Sequence, residues 1–181
     1  MHEQTDTNLV NQAQGGDVNA VGELYDRHHA AIFRYVRSRV RNQRQAEDLT
    51  GEVFVRMLAG LPNYRPTQVT FRAWLYRVAH NLVVDHYRQE NNHTLVALDH
   101  AEGMSEGKNN PDSIIEHHLT VQEVQHALET IDPVQREVVI LRFLVGMPLK
   151  EVALTLDKTV AAVKSLQHRG LADLRLALAQ G

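Results

Sequence analysis

The sequence contains no cysteine. Disulfides, thiolate zinc sites and cysteine nucleophiles are therefore excluded, and the absence suits a reducing compartment. No run of 18 or more apolar residues occurs, so the sequence predicts no membrane insertion. Residues 1–17 are polar and lack the apolar core of a signal peptide. From these features we expect a cytoplasmic chain.

Lysine is absent from the first 90 residues, where eleven arginines face ten acidic residues. The overall net charge of −3 is unevenly distributed, with +1 over residues 1–90, −6 over 91–130 and +2 over 131–181. Non-specific DNA affinity grows with the number of phosphates that a protein neutralises. Neither weakly basic end would bind DNA strongly alone, so a DNA-binding function requires a larger partner.

Aromatic residues make up only 6% of the chain, and the good helix formers Ala, Leu, Gln, Glu and Arg dominate. Apolar residues recur at helical spacing over residues 18–40, about 45–60 and 70–89. Asp17 and Thr70 are the expected N-caps of the first and third of these helices. The arginines between positions 34 and 41 are expected mostly on the solvent side of the first helix.

Residues 90–111 lose the helical period and gather Asn, Gly, Ser and acidic residues before an Asn-Asn-Pro sequence. This composition is typical of a linker. Helical periodicity is expected to resume with Asp112 as an N-cap. The sequence therefore predicts an all-α fold of two small helical modules, residues 1–90 and 112–181, joined by a flexible acidic linker over residues 91–111.

Residues 149–166 have the pattern of a helix-turn-helix, with two short helices around a polar turn at Asp157-Lys158. Small residues at Ala153, Ala161 and Ala162 would let the helices cross closely. A helix fits the major groove of B-DNA, but a hairpin of helices with a solvated face explains the same pattern equally well. The second helix and its turn would expose a polar set suited to phosphates and base edges: Lys158, Thr159, Lys164, Gln167, His168 and Arg169.

The segment 70–88 mixes aromatic residues with arginine on one helix. Bases of single-stranded nucleic acid stack on exposed rings for roughly 1–3 kcal/mol each, while cations hold the backbone. For Trp74 alone, capping of a helical core is the simpler interpretation, whereas the whole set favours nucleic-acid contact. On a helical wheel the face opposite Phe71 and Leu75, with its flanks, carries Trp74, Tyr76, Arg77, His80, Asn81, Tyr87 and Arg88.

Three segments together resemble the extracytoplasmic-function sigma factors of bacterial RNA polymerase. Residues 46–57, AEDLTGEVFVRM, resemble their polymerase-docking helix, region 2.2. Residues 71–85, FRAWLYRVAHNLVVD, resemble regions 2.3 and 2.4, which melt and read the −10 element. Residues 131–143, IDPVQREVVILRF, followed by VKSLQHR at 163–169, resemble region 4, which reads the −35 element. The order and spacing cover nearly the whole chain.

The resemblance implies roles for individual residues. Asp48 and Glu52 would present carboxylates to basic clamp helices of the polymerase, with Phe54 on the same docking helix. The aromatic and arginine set of residues 74–88 would bind the −10 strand, with Asn81 at the pocket for a flipped base. The polar set from Lys158 to Arg169 would read the −35 element. Implied partners are the polymerase core, promoter DNA and an anti-sigma factor, and no cofactor or metal is expected.

The sequence departs from the family pattern at two positions. Gly51 stands in the docking helix where the family usually has a glutamine, so a polar contact is missing. Leu166 stands where many members carry arginine in the recognition helix, which predicts a different readout of the −35 element.

Three other functions are alternatives to this one. A free-standing helix-turn-helix regulator explains residues 131–178 but not the docking helix or the aromatic helix. A pure adaptor would bind the polymerase without opening a promoter. A metal hydrolase is disfavoured because the pairs His28-His29 and His117-His118 are adjacent, so neither pair can face one metal from a helix, and His80 and His86 lack the i,i+4 spacing of a helical metal site.

Overall fold

A computed structural model describes residues 5–67, 69–97 and 121–180 of the chain, and this part contains helices and no β-strand. The helices are α1 (Asp6–Gln14), α2 (Val18–Arg37), α3 (Gln43–Gly60), α4 (Phe71–Ala97), α5 (Val121–Thr130), α6 (Pro133–Val139), α7 (Leu149–Leu156) and α8 (Val160–Ala179). A 3₁₀ turn, Leu61–Asn63, follows α3, and a π-helical turn, Ile140–Leu144, follows α6. Helices α1 to α4 form an N-terminal module, residues 5–97, and helices α5 to α8 form a C-terminal module, residues 121–180.

The two N-caps predicted for the N-terminal module are confirmed. An Asp17 carboxylate oxygen accepts from the Asn19 amide at 2.9 Å, at the start of α2. The Thr70 hydroxyl accepts from the Ala73 amide at 3.2 Å, at the start of α4. Each bond satisfies a donor that a helix would otherwise leave free.

Helix α1 lies in the polar N-terminal segment and was not predicted. It buries Leu9 and Val10 against the rest of the module. The side-chain amide of Gln14 donates to the carbonyls of Leu61 and Tyr64, at 2.9 Å each, which ties α1 to the loop between α3 and α4.

Helix α4 is longer than expected. The prediction ended it near residue 89 and began the linker at 91, but the helix continues to Ala97. Residues 71–97 contain neither Pro nor Gly, so nothing in them ends a helix. The rest of the predicted linker and the predicted helix start at Asp112 lie outside the described residues.

The N-terminal core includes the fully buried Leu24 of α2, Val53 of α3 and Leu75 of α4. Val18 opens the apolar helical period of residues 18–40 and should therefore point inward, but it is 80% exposed. It is the first residue after the Asp17 cap, and the inward stripe of α2 begins only at Ala20.

The C-terminal module contains the predicted helix-turn-helix. The turn lies at Asp157, which has a left-handed backbone, φ 53° and ψ 50°, a conformation that Asp tolerates better than most residues. Of the predicted small residues Ala153 is buried, but Ala161 is exposed. The close approach is instead at Gly170, where α8 meets Val139 and Gln135 of α6.

Replacing Gly51 with alanine is expected to raise the free energy of unfolding by about 1 kcal/mol, the difference in helix propensity between the two residues. Gly51 lies inside α3, and a Cβ there would meet nothing within 4 Å. Urea denaturation followed by circular dichroism measures the change. The matched control is Gly60→Ala, because a Cβ at Gly60 would lie 2.9 Å from the Trp74 ring. The free energy of unfolding of Gly60→Ala should therefore not rise. If the urea midpoint of Gly51→Ala equalled that of the unchanged chain, the expectation would be wrong.

Candidate nucleic-acid interface

Helix α3 presents an acidic surface. Asp48 and Glu52 are one turn apart and exposed, and Glu52 also pairs with Arg56 at 3.1 Å. Phe54, predicted on the docking surface, is instead buried beneath Tyr25, with 4.7 Å between ring centroids. It therefore supports the helix from inside.

The large apolar side chains that α3 exposes are Val55 and Leu58, and not the predicted Phe54. Val55 and Leu58 are both exposed, although Leu58 belongs to the apolar helical period of residues 45–60 that should face the core. Beside the acidic pair they supply the apolar part of the α3 surface.

The residues predicted to bind the −10 strand divide into three groups on α4. Asn81 and Arg88 are exposed, as predicted. Trp74, Arg77, His80 and Tyr87 are half-buried. Tyr76, predicted on the exposed face, is only 2% exposed and packs edge to face against Tyr35, with 5.4 Å between ring centroids.

The burial of Tyr76 shows that α4 has more than one covered face. Ala79 and Val83 are buried beside it, in addition to Leu75 and Leu82, which continue the inward face of Phe71. A wheel analysis that assumes a single inward stripe therefore placed Tyr76 wrongly. Burial raises the pKa of Tyr76 to about 12, so its phenol stays neutral.

Trp74 has a packing role in this structure. Its ring lies 4.9 Å from that of Tyr64, between ring centroids, and against Gly60. The Tyr64 hydroxyl donates to the Val69 carbonyl at 2.6 Å. Trp74 and Tyr64 together fix the loop that precedes α4.

The C-terminal module packs directly on α4, a contact that the two-module prediction did not include. The Thr155 hydroxyl donates to the Ala73 carbonyl at 3.3 Å. Arg72 donates to the Val145 carbonyl at 3.3 Å, and Arg77 donates to the Leu154 carbonyl. One of the predicted DNA-binding arginines is thus bonded to the other module.

A buried group of charges lies at the centre of this contact, and we call it the Glu137 cluster: Tyr35, Arg39, His80 and Glu137. The Tyr35 hydroxyl donates to Glu137 at 2.5 Å. Arg39 pairs with the same carboxylate at 3.1 Å, and His80 Nδ1 lies 3.3 Å from it. Glu137 is 2% exposed and Arg39 is 7% exposed, so the expectation that Arg39 faces solvent is wrong.

Electrostatics keep the Glu137 carboxylate ionised despite its burial. Burial alone would raise the pKa of Glu137, but the contact with His80 and the positive charge of Arg39 outweigh it and hold the pKa below its usual value. Burial also raises the pKa of Tyr35 well above its usual value, so Tyr35 donates as a neutral phenol.

Helix α8 and the turn before it expose most of the residues predicted to read the −35 element. Lys158, Lys164, His168 and Arg169 are exposed. Thr159 is exposed and caps α8 by accepting from the Ala162 amide at 3.1 Å. Gln167, the remaining residue of the predicted set, is half-buried and accepts from Arg142 Nε at 2.9 Å. Leu166, the departure from the family pattern, is also half-buried and packs against the core of the module.

Within the described ranges, no group of three His, Asp or Glu side chains is arranged to hold a metal ion. No helix in this part of the chain is long and apolar enough to cross a membrane.

Comparison with known proteins identifies the two modules. The family model for sigma-70 region 2 matches residues 24–93, and that for sigma-70 region 4 matches residues 121–174. The sigma factor BldN of Streptomyces coelicolor, of the extracytoplasmic-function (ECF) class, is 34% identical over 92% of this chain and 63% of its own length. The ECF sigma factor SigX of Bacillus subtilis is 30% identical over 84% of this chain and 80% of its own length. The chain belongs to the ECF sigma factors.

The fold of this sigma factor also matches a solved structure. CnrH of Cupriavidus metallidurans, solved in complex with the cytosolic domain of CnrY, superposes with a TM-score of 0.74 and 28% identity over 97% of both chains. This chain spans less than two thirds of the length of BldN.

Sequence reasoning missed the residues that join the two modules of this sigma factor. Glu137 precedes the buried Ile140 and Leu141 by three and four positions, so helical periodicity places it on an inward face. An acidic residue at such a position was the available signal for a buried pair. Nothing comparable marks Tyr35 or Thr155.

Proposed function

We propose that this chain directs bacterial RNA polymerase to specific promoters and opens the −10 region, acting in the cytoplasm and without catalysis of its own. The observation that carries the proposal is the succession of sigma-70 regions 2 and 4 along one chain. The exposed polar surface of each module agrees with the part its region would take.

Docking on the polymerase core is assigned to α3. Asp48 and Glu52 form an exposed carboxylate pair, which suits a basic surface on the partner, since charge complementarity steers and orients association. The exposed Val55 and Leu58 would add apolar contact on the same helix.

Capture of the −10 strand is assigned to α4. Asn81 is exposed, and its amide can both donate to and accept from a base edge, which suits a pocket for a flipped base. Arg88 is exposed about two turns further along the same helix. Trp74, Arg77, His80 and Tyr87 are proposed to contribute where the strand reaches them, whereas Tyr76 and Phe54 support the module from within.

Recognition of the −35 element is assigned to α8. The exposed Lys164 and Arg169 would contact phosphates and base edges of the major groove. The bond from Arg142 to Gln167 orients that side chain on the same helix.

An anti-sigma factor is proposed as a further partner. The support is that CnrH, whose structure superposes on this chain, was solved bound to the cytosolic domain of CnrY.

Run-off transcription tests the proposed function. The purified chain, added to bacterial core polymerase and a library of genomic fragments, should produce discrete promoter-dependent starts. The double variant Asp48→Ala/Glu52→Ala should lower these transcripts roughly tenfold or more, because two charged contacts are lost from one interface. Asn81→Ala should weaken or shift the starts by removing the base-binding amide.

The matched control is Glu47→Ala, which removes an exposed carboxylate from the same helix but not from the proposed pair. It should transcribe as well as the unchanged chain. No stimulation of core polymerase, with duplex DNA still bound by the chain alone at physiological salt, would refute the proposal and favour a free-standing regulator.

A further inference from the structure

A cavity of about 310 Å³ lies where the turn after α2 meets α5 and α6. Among the described residues that line it, Glu129 is the single carboxylate, so the cavity carries an excess of positive charge. The positive charge comes from four arginine side chains, three of the N-terminal module and one of α6: Arg37, Arg39, Arg41 and Arg136.

Two of these arginines are held close together and away from water. Arg39 is 7% exposed, and Arg136 is half-buried. Burial and the positive charge of Arg39 both lower the pKa of Arg136. Like charges that are partly desolvated repel each other strongly, so an anion bound between them would relieve this repulsion.

The same two side chains keep hydrogen-bond donors to spare. Arg39 Nη2 pairs with Glu137 at 3.1 Å, and Arg136 Nη2 donates to the Glu129 carbonyl at 2.8 Å. In the described part of the chain, Arg39 Nε and Nη1 and Arg136 Nε are shielded from solvent and have no hydrogen-bond partner. Buried donors in folded proteins are nearly always paired, so these three indicate a ligand that accepts hydrogen bonds.

We propose that this cavity binds the diphosphate group of a small molecule, held between the guanidinium groups of Arg39 and Arg136, with Arg37 and Arg41 beside it. Guanidinium matches phosphate because its N–H groups donate in parallel pairs to two oxygens. A diphosphate carries more negative charge than a single phosphate, and its two groups can reach arginines of both modules.

The size of the cavity favours a small molecule over a nucleic-acid strand. Its volume of about 310 Å³ lies at the lower end of the range for small-molecule sites, roughly 300–1,000 Å³. Tyr87 and Leu128 also line it, and the Tyr87 hydroxyl donates to the Arg39 carbonyl, which fixes the ring. Free diphosphate and the diphosphate of a nucleoside share the chemistry that this site recognises.

The cavity is separate from most of the surfaces assigned to polymerase and promoter. Of its described lining residues, Tyr87 alone belongs to one of those surfaces. The site is therefore an addition to the proposed function, and its test needs neither polymerase nor promoter DNA.

Isothermal titration calorimetry of the full chain tests the site, with pyrophosphate as the probe at low ionic strength and without divalent cations. The parent chain should bind one pyrophosphate, about tenfold or more tightly than inorganic phosphate or sulfate. Arg136→Gln should weaken binding about tenfold or more, because charged hydrogen bonds are lost. The exposed Arg41→Gln should weaken it about threefold, since an exposed charge contributes less.

The matched control is Arg44→Gln. It removes the same charge from an exposed position three residues beyond Arg41, and Arg44 does not line the cavity. Its affinity for pyrophosphate should equal that of the parent chain. Arg136→Lys keeps the charge without the paired donors and should regain part of the affinity. Circular dichroism checks helix content, and if Arg136→Gln fails to fold, the contrast between Arg41→Gln and Arg44→Gln still decides.

Parallel titrations with ADP and adenosine distinguish the two sources of the diphosphate. Tighter binding of ADP than of pyrophosphate would identify a nucleotide site, whereas equal or weaker binding would identify a site for free diphosphate. Adenosine, which lacks phosphate, should not bind.

Three results would overturn the proposal. One is the absence of pyrophosphate binding to the parent chain. Another is an equal loss of affinity in Arg44→Gln and in the cavity variants, which would indicate general attraction between charges. The third is displacement of pyrophosphate by a single-stranded oligonucleotide at the same phosphate concentration, which would assign the arginines to nucleic acid.

Discussion

Tyr76→Ala is expected to lower the free energy of unfolding by about 3–5 kcal/mol, the usual cost of removing a large buried aromatic side chain. Tyr76 is among the largest fully buried side chains and packs edge to face on Tyr35. Its removal would leave a cavity that the surrounding helices fill only in part. A residue whose function was to stack on bases would be exposed and would show no such loss.

Urea denaturation followed by circular dichroism measures this loss, with two comparison variants. Tyr76→Phe keeps the ring and should retain most of the stability. Tyr25→Ala removes a tyrosine that is 41% exposed, so its loss should be much smaller. If Tyr76→Ala unfolded at the same urea concentration as the parent chain, the structural role would be wrong and direct contact with DNA would be favoured again.

Local features of the fold could be predicted from the sequence because local chemistry determines them. Asp17 and Thr70 cap helices because each precedes an apolar helical period and carries a side-chain oxygen. Asp157 marks the helix-turn-helix because few side chains tolerate a left-handed backbone. The end of α4 was misplaced because a polar composition weakens a helix less than Pro or Gly does.

Burial was harder to predict where a helix has more than one covered face. Tyr76 and Arg39 were both expected in solvent, since each lies away from the apolar period of its own segment, although Arg39 itself lies in the turn after α2. Tyr76 is covered by contact with Tyr35, and Arg39 is covered by its pair with Glu137. Periodicity within one helix carries no information about a second helix that packs on its polar side.

In the candidate site, too, features of a single helix were predicted and contacts between modules were missed. The exposure of Asp48, Asn81 and Lys164 was predicted correctly, and their roles stay predictions. The Glu137 cluster was not found because Tyr35 and Glu137 are 102 positions apart in the sequence. Their pairing depends on how two modules meet, which no single motif specifies.

Gly170→Leu is expected to lower the free energy of unfolding of the C-terminal module by about 1–3 kcal/mol or more, the range for overpacking a close contact. A Cβ at Gly170 would lie 3.0 Å from Val139 Cγ2 and 3.2 Å from Gln135 Cβ. Both neighbours belong to α6, and the Gln135 backbone oxygen is only 3.3 Å away. Separation of the two modules cannot relieve this clash, because α6 and α8 belong to the same module.

The matched control is Ala172→Leu, which enlarges an exposed position of the same helix and should change stability by less than about 0.5 kcal/mol. Thermal and urea unfolding compare the two variants, and run-off transcription follows the consequence for α8. Because α8 carries Lys164 and Arg169, displacement of α8 from α6 should weaken promoter-dependent starts in Gly170→Leu but not in Ala172→Leu. Equal stability of the two variants would show that α6 and α8 do not meet at Gly170, and the assigned geometry of the −35 surface would then be wrong.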